Sequence, residues 1–147
     1  LHQLLRTIDD LRLRKAIATS TPRTSALRKL SAVGMQRAFE TIVCGDEVAN
    51  GKPAPDIFLE AARRLGSPPD GCVVLEDSDP GVRAAHAAGM KVIVVPDLKQ
   101  PTRETRALSW RVLPSLDATA RFLISLRQDG PWRNAAACRT SENTGGS

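Results

Sequence analysis

Three positions in this sequence carry side chains that could act together on a phosphate group. Thr19 closes the short apolar run Ala16-Ile17-Ala18, and the polar stretch Ser20-Thr21-Pro22 follows it. A hydroxyl at the tip of an extended run, with exposed backbone amides just beyond, can hold phosphate oxygens. Lys52, between Gly51 and Pro53, offers a cation on a short, rigid approach suited to neutralising phosphate charge. Glu76-Asp77 closes another apolar run as a carboxylate pair, hard oxygen ligands of the kind Mg²⁺ takes. Singly these are a strand-end hydroxyl, a surface lysine and a solvated acidic turn. Together, at successive tips, they describe Mg²⁺-assisted phosphoryl transfer.

Elements of alternating type must position them. Leu1, Leu4, Leu5, Ile8 and Leu11 fall at helical spacing, which predicts the end of an amphipathic helix. Ala16–Thr19, Thr41–Cys44, Cys72–Leu75 and Lys91–Val95 read as short buried strands, with Val112-Leu113 as a fifth. Between them the spacing predicts helices from a Thr24 or Ser25 cap to about Val33, from Pro55 to Leu65, and from an Asp79 cap with Pro80 behind it to Gly89. A last helix is predicted over Leu116–Leu126, and residues 128–147, without periodicity, as a disordered tail. Strands alternating with helices make an α/β fold, a Rossmann-like parallel sheet with helices on both faces. In such sheets chemistry gathers at the carboxyl ends of the strands, where Thr19, Lys52 and Glu76-Asp77 fall. The expected core is Ile17, Val43, Ile57, Phe58, Leu65, Val73, Val74, Leu75, Val92, Ile93 and Val94.

Composition excludes other classes. With 147 residues and 41% apolar content, the chain can bury a core without disulfide staples. Cys44, Cys72 and Cys138 stand at wide, irregular spacing, neither a disulfide framework nor a zinc pattern, which points to a reducing cytoplasm. No apolar run is long enough to span a bilayer, and no cleavable signal stands at Leu1. The net charge of +5 raises nucleic acid as a partner, but the basicity sits at the two ends. Residues 31–100 carry seven Lys/Arg against ten acids, and 3% aromatics without a tyrosine leave few stacking platforms.

The wording around the three tips resembles the haloacid dehalogenase superfamily, in its group of small phosphatases and phosphomutases. Ala16-Ile17-Ala18-Thr19-Ser20-Thr21 is similar to the second superfamily motif. Asp46-Glu47-Val48 with Gly51-Lys52-Pro53-Ala54-Pro55-Asp56-Ile57-Phe58 is similar to the third. Val74-Leu75-Glu76-Asp77-Ser78, Gly81-Val82, Ala84-Ala85 and Ala88-Gly89-Met90 are similar to the fourth. The resemblance covers about residues 1–126. It implies that Thr19 and the Ser20 amide bind phosphate oxygens, that Lys52 stabilises the transferring phosphoryl group, and that Asp77 holds Mg²⁺ with Glu76 as its partner. Asp56 reads as a first-turn acid, favourable with the helix dipole.

The family's chemistry begins with Asp-x-Asp-Gly-Thr on a central strand, and these 147 residues contain no such sequence. Asp9-Asp10 is the only early acid pair, and its two acids are adjacent on a helical stretch. By the resemblance, residues 1–127 are a partial core without its first strand and its substrate-selecting cap. That strand would lie between the ones ending at Thr19 and Asp77. Without it those edges pair directly, stay as two half-sheets, or recruit a strand from another chain or a second copy. The expected function is the carboxyl-terminal portion of a phosphohydrolase for a small phosphorylated metabolite, inactive alone. The alternative is a non-catalytic phosphate- and metal-binding remnant or interaction module completed by another chain.

Overall fold

The computed structural model describes residues 1–97 and 99–129. Helix α1 (His2–Asp10) leads to β1 (Ala16–Thr19), α2 (Arg23–Ala32) and β2 (Thr41–Cys44). Then come α3 (Asp56–Leu65), β3 (Val73–Glu76), α4 (Asp79–Ala87) and β4 (Lys91–Val94), and finally α5 (Arg103–Leu108), β5 (Arg111–Val112) and α6 (Leu116–Asp129). The expected tail from Gly130 onward lies outside the described residues, and α6 continues through Gln128 to Asp129.

The strands form two parallel half-sheets. β1 pairs with β2, Thr19 opposite Cys44, and β3, β4 and β5 form the second sheet, Glu76 opposite Val94. Among the described residues no ladder joins β1 to β3, so the second of the three expected outcomes holds.

One apolar layer nevertheless runs across both halves. Val43 of β2, Val74 of β3 and Val92 of β4 share a core with Ile57, Phe58, Ala61 and Ala62 of α3 and with Val82, Ala84 and Ala85 of α4. The opposite face is divided. Ala26 of α2 covers Ile42 and Cys44, whereas Leu4 of α1 meets Ala120 and Leu123 of α6 under Leu75. The continuous face holds the halves together where strand pairing does not.

The break corrects the expected core. Val43, Ile57, Phe58, Leu65, Val74, Val92, Ile93 and Val94 are buried, but Ile17, Val73 and Leu75 are half-exposed. All three belong to β1 or β3, each paired on one side only; β2 is also paired on one side only, but α2 covers its Ile42 and Cys44 and α3 its Val43. β2 and β4 each bury three of their four residues. The side chains are apolar enough for a central position, yet among the described residues β1 and β3 each have a partner on one side alone.

Helix starts differ from expectation in an informative way. Thr24 and Ser25 lie inside α2, whose Pro22 cap has no side-chain acceptor. Both oxygens of Asp46 instead accept the Arg23 amide, at 3.0 and 3.2 Å. Asp79 is the first residue of α4 rather than its cap. Ser78 caps it, its hydroxyl oxygen accepting the Gly81 amide at 3.2 Å. Helix α5 was not legible from apolar spacing; Thr102 caps it by accepting the Thr105 amide at 3.1 Å.

Candidate functional site

The loop after β2 carries Lys52 across from the first half to the second. Its ammonium pairs with the Glu76 carboxylate at the tip of β3 and lies 4.8 Å from the centre of the Phe58 ring. The two side chains are only 12% and 8% exposed. The pair is therefore largely desolvated, a setting in which charge interactions weigh more than at a wet surface.

Both ends of that loop are anchored. Glu47 turns back to accept the Cys44 amide at 2.8 Å. It is gripped by Arg64 at 3.0 Å and Arg23 at 3.1 Å, and both guanidiniums also donate to the Ile42 carbonyl. Asp56 is the first-turn acid it was expected to be. Its carboxylate also closes the loop by accepting from the amide and side chain of Asn50 at 3.2 and 3.1 Å.

Burial opposes charge on Glu47, but the Cys44 amide and the two arginines outweigh it and hold its carboxyl below the ordinary range. Half-buried Glu60, held by Arg63 and Arg64, is lowered to about 2. A carboxylate whose folded pKa is depressed adds stability that is fully present above its unfolded value, about 4.3. That stability is lost as pH falls through the folded value. The urea midpoint should accordingly decline as pH drops from about 5 toward 2, and Glu47→Gln should flatten the upper part of the decline. A pH series of urea melts on both proteins measures it; equal slopes would remove Glu47 from the account.

The second oxygen of Glu76 accepts the Ser78 hydroxyl at 2.9 Å and the Asp77 and Ser78 amides at 3.3 and 3.4 Å. The carboxylate thus lies at the positive end of α4, where a negative charge is favoured. Both of its oxygens are committed to protein donors. Asp77, next along the chain, is exposed, and among the described residues its carboxylate has no hydrogen-bond or ion-pair partner. With Glu76, Asp97 and Leu116 it lines a cavity of about 370 Å³ at the carboxyl edge of the second half-sheet.

Thr19 sits at the tip of β1, its hydroxyl oxygen accepting the Thr21 amide at 3.2 Å, and Ser20 is exposed beyond it. The Ser20 carbonyl lies so close to Gly45 that a Cβ there would overlap it, which ties the tips of β1 and β2. Lys52 and Glu76 are brought into contact; among the described residues neither Thr19 nor Asp77 forms a hydrogen bond or ion pair with Lys52. Phe58 was expected in the core and Ser78 only within the fourth motif, neither as a group orienting Lys52 or Glu76, and Asp97 had no expected role. For Ser78 the signal was its place between Glu76-Asp77 and Asp79-Pro80, where a helix begins.

Cys44, Asp46 and Glu47 are near enough to share a cation, but the chemistry opposes one. Glu47 is committed to two arginines, Asp46 to a helix amide, and burial pushes the Cys44 thiol up.

Residues 1–95 match the family model of the haloacid dehalogenase-like hydrolases. The chain is 42% identical over 115 residues to Protein CbbY of Rhodobacter capsulatus, covering 76% of this chain and 50% of that one. It is 41% identical over 92 residues to the phosphorylated carbohydrates phosphatase of Thermotoga maritima, covering 63% and 43%. It superimposes on the crystal structure of CbbY from Rhodobacter sphaeroides in complex with phosphate with a TM-score of 0.71 at 36% identity, covering 78% of this chain and 52% of that chain. The chain spans half or less of the length of these two curated relatives.

Proposed function

The chain belongs to the haloacid dehalogenase-like hydrolases, in their phosphatase and phosphomutase group, and from that premise we propose that it is the phosphate- and Mg²⁺-binding portion of a phosphohydrolase. Its substrate class is a small phosphorylated metabolite such as a sugar phosphate. The observation that carries the proposal is the desolvated Lys52 ammonium at the carboxyl edge, steered by Glu76 and Phe58.

In this reading Lys52 neutralises the transferring phosphoryl group, and Thr19 with the Ser20 amide holds its remaining oxygens. Asp77, an exposed hard-oxygen donor without a partner among the described residues, suits Mg²⁺, whereas Glu76 supports the site through Lys52. Bound there, Mg²⁺ supplies charge neutralisation at phosphate oxygens. The cytoplasm is the proposed compartment; among the described residues no helix is long and apolar enough to cross a membrane.

These residues supply no Asp-x-Asp-Gly-Thr. We propose that a strand bearing it pairs between β1 and β3, and the half-exposed apolar residues Ile17, Val73 and Leu75 support that position. The same open edges would serve a second copy, which is the competing occupant. The reading of a non-catalytic remnant shares the phosphate cradle and differs only in never acquiring turnover.

Titrating inorganic phosphate into ¹⁵N-labelled chain tests the cradle. Amide shifts should concentrate at Thr19, Ser20 and Lys52 and disappear in Lys52→Ala. Shifts confined to other basic residues, or unchanged by Lys52→Ala, would overturn the assignment.

A further inference from the structure

We infer that Gly81 is a positioning residue for Lys52, acting through the Glu76 carboxylate; this rests on the proposed role of Lys52. The Glu76 side chain folds back along the first turn of α4 and lies directly against the Cα of Gly81. A Cβ built there would fall inside the carboxylate, overlapping its carbon and both oxygens. Gly81 needs no left-handed conformation, since it lies within a regular helix. What it supplies is space.

The contact is part of a closed chain of groups. The Gly81 amide donates to the Ser78 hydroxyl oxygen, that hydroxyl donates to one oxygen of Glu76, and the other oxygen takes the Lys52 ammonium. Ser78 orients the carboxylate from one side, and the bare Cα of Gly81 is the floor it rests on. Raising that floor by one methyl group leaves Glu76 two options. It rotates away and releases Lys52 from its fixed position, or the first turn of α4 moves and takes Ser78 with it. Either way the ammonium loses the geometry in which it faces the carboxyl edge.

Helix propensity makes the opposite demand, because alanine is favoured over glycine within a helix. The sign of Gly81→Ala therefore distinguishes the two roles. In the natural background it should lower the urea midpoint and move the ¹³Cε resonance of Lys52. In a Lys52→Met/Glu76→Ala background, which leaves neither charge buried alone, it should leave the midpoint unchanged or raise it. An equal loss in both backgrounds, or an unmoved Lys52 resonance in a folded Gly81→Ala protein, would overturn the inference. Should Gly81→Ala fail to fold, folding of the triple variant supports the inference and its failure to fold overturns it. No phosphate is present in these measurements. A failure of phosphate binding would therefore count against the functional proposal alone.

Discussion

Phosphate release from small phosphate esters by the 147-residue chain alone should stay at the uncatalysed background. Lys52 can neutralise charge, Thr19 and Ser20 can hold oxygens, and Asp77 can share a metal. None of them is placed to attack phosphorus and carry it as a covalent intermediate. Loss of a covalent nucleophile can cost about 10⁶-fold in kcat, because binding and charge stabilisation are all that remain. Metal affinity should be weak for a related reason. Glu76 is occupied by Lys52 and Ser78, so Asp77 has little help in replacing the waters that Mg²⁺ gives up reluctantly. A coupled phosphate-release assay checks the first expectation, and a calorimetric Mg²⁺ titration checks the second. Turnover lost in Lys52→Ala would mean that a nucleophile exists among these residues.

Lys52→Ala should also destabilise the fold strongly, by about 3 kcal/mol, because it leaves the Glu76 carboxylate buried without its cation. The Ser78 hydroxyl and two backbone amides still reach one oxygen, which keeps the cost at the lower end of what breaking a buried pair brings. Lys52→Met/Glu76→Gln should lose much less, since no charge is then stranded and the methionine retains contact with Phe58. Lys52 comes from the first half of the molecule and Glu76 from the second, so the pair also fastens halves that no strand ladder joins among the described residues. Urea melts of the single and double variants measure the coupling. Equal losses would mean that the pair contributes no more than a surface ion pair.

Much of this was legible in the residues because local rules and the fold agree. The runs at Thr41–Cys44 and Lys91–Val94 are continuous and apolar, and both strands are covered on both faces as such runs require. Pro22 and Gly34 bracket α2, Gly66 ends α3, and Gly89 follows α4 with a positive φ. Ile17, Val73 and Leu75 misled for a physical reason. Apolarity records the place a strand is built for, and in the proposed assembly their burial depends on a strand pairing between β1 and β3. The start of α2 was harder to read because its partner is distant in sequence, whereas the Ser78 and Thr102 caps are local. Asp46 closes the start of α2 from 23 residues away, and no local pattern around Thr24 or Ser25 announces it. The candidate site was legible in residue type but not in pairing. Glu76 and Asp77 look equivalent as a carboxylate pair, yet Glu76 folds under α4 to hold Lys52 while Asp77 stays exposed. Only the turn that aims one inward and the other outward separates their roles.

The central claim is that these residues are one part of a phosphohydrolase whose nucleophile strand belongs between β1 and β3. The most direct measurement compares phosphate release by the chain alone with release after an amino-terminal segment bearing Asp-x-Asp-Gly-Thr and a cap is joined ahead of Leu1. The account predicts that turnover rises by orders of magnitude and that Lys52→Ala abolishes it. The amides of Ile17 and Val73 should become protected from hydrogen exchange in the same protein. A folded fusion with those amides protected and no phosphate release above that of the unextended chain would contradict it.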